Sequence, residues 1–140
     1  MLRRLAAGYF GGAVGAVVAS LALWVAAQAG LLAELGVDLN PPLRWAWLSP
    51  RILWGGLWGL GIPLVLRRGL SPVRAGLLLS LGPSLAQLFY FFPQRGANLL
   101  GVAHGPLTPL VVLAVNAIWG WTLARVVLAV GGSASAPSEK

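Results

Sequence analysis

The chain has 140 residues, of which 58% are hydrophobic and only 9% charged, with a formal net charge of +7. A soluble domain averages about 25% charged residues, so this composition and a mean hydropathy of +0.81 exclude an ordinary water-soluble domain. The arginines stand singly or in pairs between apolar runs, which points to membrane topology rather than to nucleic acid. The absence of Cys excludes disulfides, thiolate metal sites and thiol catalysis.

The first apolar run predicts a helix over residues 5–33, with Arg3 and Arg4 before it. Ala27-Gln28-Ala29 has the small-x-small form of a leader cleavage site. The run is far longer than the 7–15 residues of a signal core, however, and reads as a retained helix. Three later runs each open on a Leu, a hydroxyl residue and a Pro: Leu48-Ser49-Pro50, Leu70-Ser71-Pro72 and Leu107-Thr108-Pro109. Ser or Thr accepts a bond from the unpaired N–H groups of a first helical turn, and Pro at the first helical position has no N–H to lose. These openers predict helices over 50–66, 72–92 and 109–130, each close to bilayer length. Gly82-Pro83 should kink the third.

The expected architecture is therefore all-α: one membrane domain over 1–130 with four transmembrane helices, and a disordered polar tail over 131–140. Arg3, Arg4, Arg67, Arg68 and Arg74 load the N-terminus and the loop after the second helix. The other two connections carry Arg44, Arg51 and Arg95 against Glu34 and Asp38. The positive-inside rule then puts both termini in the cytoplasm.

Two constellations are candidates for function. The first is a set of small-residue columns for helix packing: Gly8, Gly12 and Ala16 with Ser20, a second column through Gly15, and Gly55 with Gly59 on the next helix. Such columns let helix backbones approach closely in lipid, within one chain or between chains. The second is polar. Ser80, Ser84 and Gln87 fall on one stripe of the third helix, while Gln28 and Asn116 sit at comparable depth on the first and fourth. Arg51, Arg95 and His104 lie in or beside the connections above them. These residues form either an outward-facing polar cleft or interhelical hydrogen bonds that glue the bundle. Arg51 has Trp54 and Trp58 at i+3 and i+7, where a guanidinium could stack, or it snorkels to the interface.

No Asp or Glu lies inside a span, which argues against proton-coupled transport. His104 is the only histidine, no Gly-x-Ser-x-Gly is present, and neither a catalytic site nor a cofactor or metal is expected. The segments 49–59, 82–93 and 108–120 resemble a group of small uncharacterised bacterial inner-membrane proteins with four transmembrane helices. That resemblance implies a multi-pass inner-membrane location and brings no activity with it. Two functions are expected from these features. One is a non-enzymatic membrane protein acting through helix association, as a homo-oligomer or an accessory subunit of a complex. The other is a small transporter, channel or lipid-binding protein with an outward-facing cleft. The partners are membrane lipids and a second membrane protein or copy, with no nucleic acid.

Overall fold

The computed structural model describes residues 1–132, and these are helical with no strand. In chain order the helices are α1 (Leu2–Gln28), α2 (Leu31–Glu34), α3 (Trp45–Gly59), α4 (Ile62–Leu66), α5 (Pro72–Leu79) and α6 (Leu81–Ala86). A π-helical turn, Gln87–Phe91, leads into α7 (Phe92–Gln94); a 3-10 turn, Leu99–His104, precedes α8 (Thr108–Gly132). Three stretches are long and apolar enough to cross a membrane: Leu2–Gln28, Pro72–Gln94 and Thr108–Gly131.

Several expected boundaries are corrected. The first helix does not run to residue 33: it stops at Gln28, and Gly30, at φ +80°, turns the chain into the short α2. Only glycine takes that backbone conformation without steric cost. The second helix does not start at Pro50. It starts at Trp45, after the Pro41-Pro42 pair, and Pro50 lies within α3. A proline there withholds a single N–H from the Ala46 carbonyl, which a helix anchored on both sides of the proline tolerates with a bend. The same stretch breaks again at Leu60-Gly61, so α3 and α4 are two pieces, each shorter than a span. In the third helix the Gly82-Pro83 kink appears as a break at Ser80, next to the Leu79 carbonyl that Pro83 cannot engage. The helix then widens by one residue, with the Phe92 N–H reaching back to the Gln87 carbonyl. The last helix includes Gly131 and Gly132; the rest of the expected tail, 133–140, lies outside the described residues.

Of the three openers, Ser71 sits at the N-cap of α5 with an extended backbone, but its hydroxyl makes no capping bond. Thr108 is the first residue of α8, and its fully buried Oγ1 has no hydrogen-bond partner. A buried orphan hydroxyl costs about 1–3 kcal/mol. Thr108→Val keeps the shape and removes the polar atom, so it should stabilise the fold by about 1 kcal/mol, read as a higher midpoint of thermal unfolding in detergent.

The bundle is organised around α1, which packs against α3 on one side and α8 on the other. Its two columns of small residues serve these two neighbours. A Cβ on Gly8 would lie 2.5 Å from the Gly59 carbonyl oxygen, and one on Gly12 would meet the Gly55 carbonyl oxygen. On the other column a Cβ at Gly11 would lie 3.0 Å from Leu123, and one at Gly15 2.8 Å from the Trp119 carbonyl oxygen. α5 meets α8 through Gly76 against Gly120. The buried core lies here, around Ala16, Ala19, Ile62, Ala75, Trp119 and Leu123. Trp119 is 3% exposed, and its indole N–H donates to the Gly12 carbonyl at 2.8 Å, so the deep indole is satisfied by backbone.

Contacts at the two ends set the polarity of the bundle. The Arg67 guanidinium reaches the Met1 sulfur at 3.7 Å, which brings the N-terminus beside the arginine-rich connection 67–71. At the opposite end the Asp38 N–H donates to the His104 carbonyl at 2.6 Å, and Gln28 donates to Asn40 at 3.3 Å.

Candidate functional site

Although α3 and the α6–π segment both flank the core, they do not pack along each other. Trp58 closes the gap at one level by lying over Gly82, where a Cβ would come within 2.6 Å of the indole. Above that level the helices border a cavity of about 910 Å³, open on one side. Its back wall is α1 (Ala16, Ala19, Leu23) and α8 (Val112, Val115, Asn116, Trp119), and its sides are α3 and the segment from Pro83 to Phe92. Small-molecule sites range over about 300–1,000 Å³, and this cavity falls within that size class.

Arg51 is its most unusual lining residue. It is half-buried, and its Nε donates to the fully buried Ser20 hydroxyl at 2.8 Å. At 1.5 Å per residue Ser20 lies about 12 Å inside the C-terminal end of α1, so the guanidinium reaches well into the bundle. The aromatic ring it covers is Trp47, one turn before it on α3, with the guanidinium carbon 4.7 Å from the ring centroid. Stacking on Trp54 or Trp58 does not occur; those two indoles line the cavity further along α3. The Ser20 bond also replaces the expected snorkelling outward. Beginning α3 at Trp45 is what makes Trp47 and Arg51 neighbours on one face.

Arg95 lines the same cavity from the end of α7, close enough to repel Arg51, and its guanidinium lies 5.9 Å from the Phe91 ring centroid. Among the described residues neither arginine forms an ion pair. Asp38, exposed, and His104, half-buried against Phe92 at 5.6 Å between ring centroids, complete the rim.

Of the polar residues expected to form a cleft, five meet in this cavity: Arg51, Gln87, Arg95, His104 and Asn116. Gln28, Ser80 and Ser84 do not. Gln28 is exposed and pairs with Asn40, while the Ser84 hydroxyl, 1% exposed, donates to the Ser80 carbonyl at 2.8 Å. Ser80 likewise donates to the Leu77 carbonyl at 2.7 Å. A helical serine has a backbone acceptor within reach and takes it when no better partner faces it. By contrast, Gln87 and Asn116 make no side-chain hydrogen bond within the described residues, so these two amides do not glue helices together. Asp38, Asn40, Trp47 and Tyr90 also line the cavity. Trp47 could have been found by reading α3 back past Pro50, whereas nothing in the spacing marks the others.

Irregular backbone concentrates beside the site. The π-helical turn begins at Gln87, and π-turns are frequent at functional positions. Asn98 and Leu100 are the non-glycine residues at positive φ, both at +62°, in the connection whose Ala97 and Ala103 reach the cavity. Such conformations cost about 1–3 kcal/mol each and persist only where surrounding structure holds them. Among the described residues no group of three or more His, Asp and Glu is placed to hold a metal ion. The small-residue columns, in turn, are filled inside the chain by α3 and α8. The chain matches no family model, no curated protein and no solved structure.

Proposed function

We propose that this is a multi-pass membrane protein that binds a small amphipathic molecule in the cavity between α3 and the α6–π segment, without chemical conversion of it. The carrying observation is the pair of free amides, Gln87 and Asn116, facing the same 910 Å³ space as Arg51 and Arg95. Both amides are half-buried and have no side-chain hydrogen bond among the described residues, and a polar ligand or water in the cavity supplies their hydrogen bonds. No Ser, Thr or Cys lines the cavity beside His104, so no Ser–His, Thr–His or Cys–His pair is formed there.

This reading is preferred to self-association through small-residue columns, because α3 and α8 already occupy those columns. A homo-oligomer or a complex with another membrane protein would have to use the outward apolar faces instead.

In this reading α3 and α4 together form the fourth span: the 22 residues from Trp45 to Leu66 extend about 33 Å at 1.5 Å per residue. Arg3, Arg4, Arg67, Arg68 and Arg74 gather at one end of the bundle. That end is cytoplasmic with both termini, in a bacterial inner membrane, and the cavity belongs to the outer half.

The chain's lack of Cys gives a clean test. Single cysteines at Ala86, which lines the cavity, at Leu113, exposed on α8 away from it, and at buried Ala124 would be challenged with a membrane-impermeant thiol reagent in proteoliposomes. Ala86→Cys should react and the other two should not. An Ala86→Cys as inert as Leu113→Cys would rule out a water-reachable cavity.

A further inference from the structure

We propose that the ligand is a lipid with a net anionic phosphate head, its head held by Arg51 and Arg95 and its hydrocarbon chain lying along Trp54 and Trp58; this rests on the cavity being a binding site. The charge carries the first half. Two guanidiniums converge on one cavity, neither is neutralised by a carboxylate, and Asp38 at the rim leaves the lining net positive. Arg51 is held in place by Ser20 through Nε alone, so its terminal nitrogens remain available for the cavity. Guanidinium forks bind oxyanions bidentately. A tetrahedral phosphoryl group has enough oxygens to meet both forks and an amide N–H from Gln87 or Asn116, whereas one fork already takes both oxygens of a carboxylate.

Volume and shape carry the second half. A water molecule's share of liquid volume is about 30 Å³, and an inorganic anion only a few times larger would leave most of 910 Å³ unfilled. Much of the remaining lining is apolar: beyond the arginines and the rim come Pro83, Ala86, Val115 and the Trp54 and Trp58 indoles. Those two indoles also border a second, open hollow of about 300 Å³ lined by Leu57, Gly61 and Leu79, which extends the apolar surface down α3. Polar head and apolar path therefore lie in sequence along one helix, Arg51 first and Trp54, Trp58 and Gly61 after it. At the lip, Trp54 and Tyr90 are 54% and 61% exposed, so a chain can enter sideways between α3 and the π-helical turn.

The test uses the full chain in non-ionic detergent, with dioctanoyl phosphatidic acid, dioctanoyl phosphatidylcholine and inorganic phosphate as probes. Binding is read by native mass spectrometry and by protection of Ala86→Cys from a thiol reagent. Phosphatidic acid should bind one per chain and protect. Phosphatidylcholine, whose quaternary ammonium opposes the arginines, should bind at least about tenfold more weakly. Inorganic phosphate should not protect. Arg95→Gln, at an exposed position whose loss cannot unfold the bundle, and Arg51→Met should each weaken phosphatidic acid about tenfold. Equal binding of the two lipids, or unaltered binding by both arginine variants, overturns the assignment of the head. Protection by inorganic phosphate as strong as by phosphatidic acid overturns the lipid and makes the ligand a free anion. A reactive Ala86→Cys that phosphatidic acid fails to protect refutes this inference and leaves the cavity; an inert Ala86→Cys removes both.

Discussion

Gly12→Val should lose the folded bundle. A Cβ at Gly12 would lie against the Gly55 carbonyl oxygen and 3.0 Å from the Gly59 Cα, and both obstacles are backbone. A flexible neighbour could move aside, but here α3 itself would have to separate from α1. That separation also disturbs the Gly12 carbonyl, which accepts the Trp119 indole N–H at 2.8 Å, so the α1–α8 contact fails with it. Overpacking a tight site costs about 1–3 kcal/mol and occasionally more. Two interfaces sharing one glycine put this variant at the upper end, about 3 kcal/mol or beyond. Gly131→Ala, on α8 with nothing within 4 Å of its would-be Cβ, is the control and should be neutral or gain up to about 1 kcal/mol of helix propensity. Thermal unfolding in detergent with size-exclusion chromatography separates the outcomes. A folded, monomeric Gly12→Val that had been oligomeric as the parent chain would move this column to an interface between chains and revive self-association as the function.

The second large effect separates stability from binding at Arg51. Ser20→Ala should destabilise the protein by about 1–3 kcal/mol, because it leaves a half-buried guanidinium N–H without its partner. Arg51→Met should be neutral or stabilising, since it replaces a charge that has no carboxylate partner among the described residues with an apolar chain of similar length, and the freed Ser20 hydroxyl can turn to the Ala16 carbonyl one turn back, as Ser84 turns to Ser80. The double variant should match Arg51→Met within about 0.5 kcal/mol, which places the coupling in the one bond. A residue whose removal stabilises the fold is kept for something other than the fold. Arg51→Met that both unfolds the protein and leaves phosphatidic acid binding intact in the surviving fraction would make Arg51 a structural residue.

Much of the scaffold is legible in the residues themselves. Length of apolar run, the Gly82-Pro83 break and the segregation of arginines are local properties, and local physics decides them: hydrocarbon accepts only internally bonded backbone, and Pro cannot donate. The columns of small residues were readable as well, since i, i+4 spacing places Gly8, Gly12 and Ala16 on one face whatever surrounds them. What they face was not. Only the packed bundle assigns Gly12 to Gly55 and Gly15 to Trp119.

Pro50 shows why the second helix starts earlier than its Ser-Pro opener predicts. The residue is allowed both at the first helical position and, with one lost bond, further in. The residues before it decide, and Trp45 to Ser49 continue the helix. That extra turn is what lays Trp47 under Arg51.

Composition and spacing settle which side chains are polar, how deep along each helix they fall, and therefore that Arg51, Gln87, Arg95, His104 and Asn116 can meet. Tertiary structure alone decided which of them do. Ser84 had a backbone carbonyl 2.8 Å away and turned to it, and Gln28 met Asn40 across the connection after α2. Arg51 found the Ser20 hydroxyl on another helix and stayed inside. The reason is common to all three. Spacing fixes a side chain's height and its angle around its own helix, but a hydrogen bond goes to whichever partner the neighbouring helix brings within about 3 Å, and that rotation is set by where glycine lets backbones close.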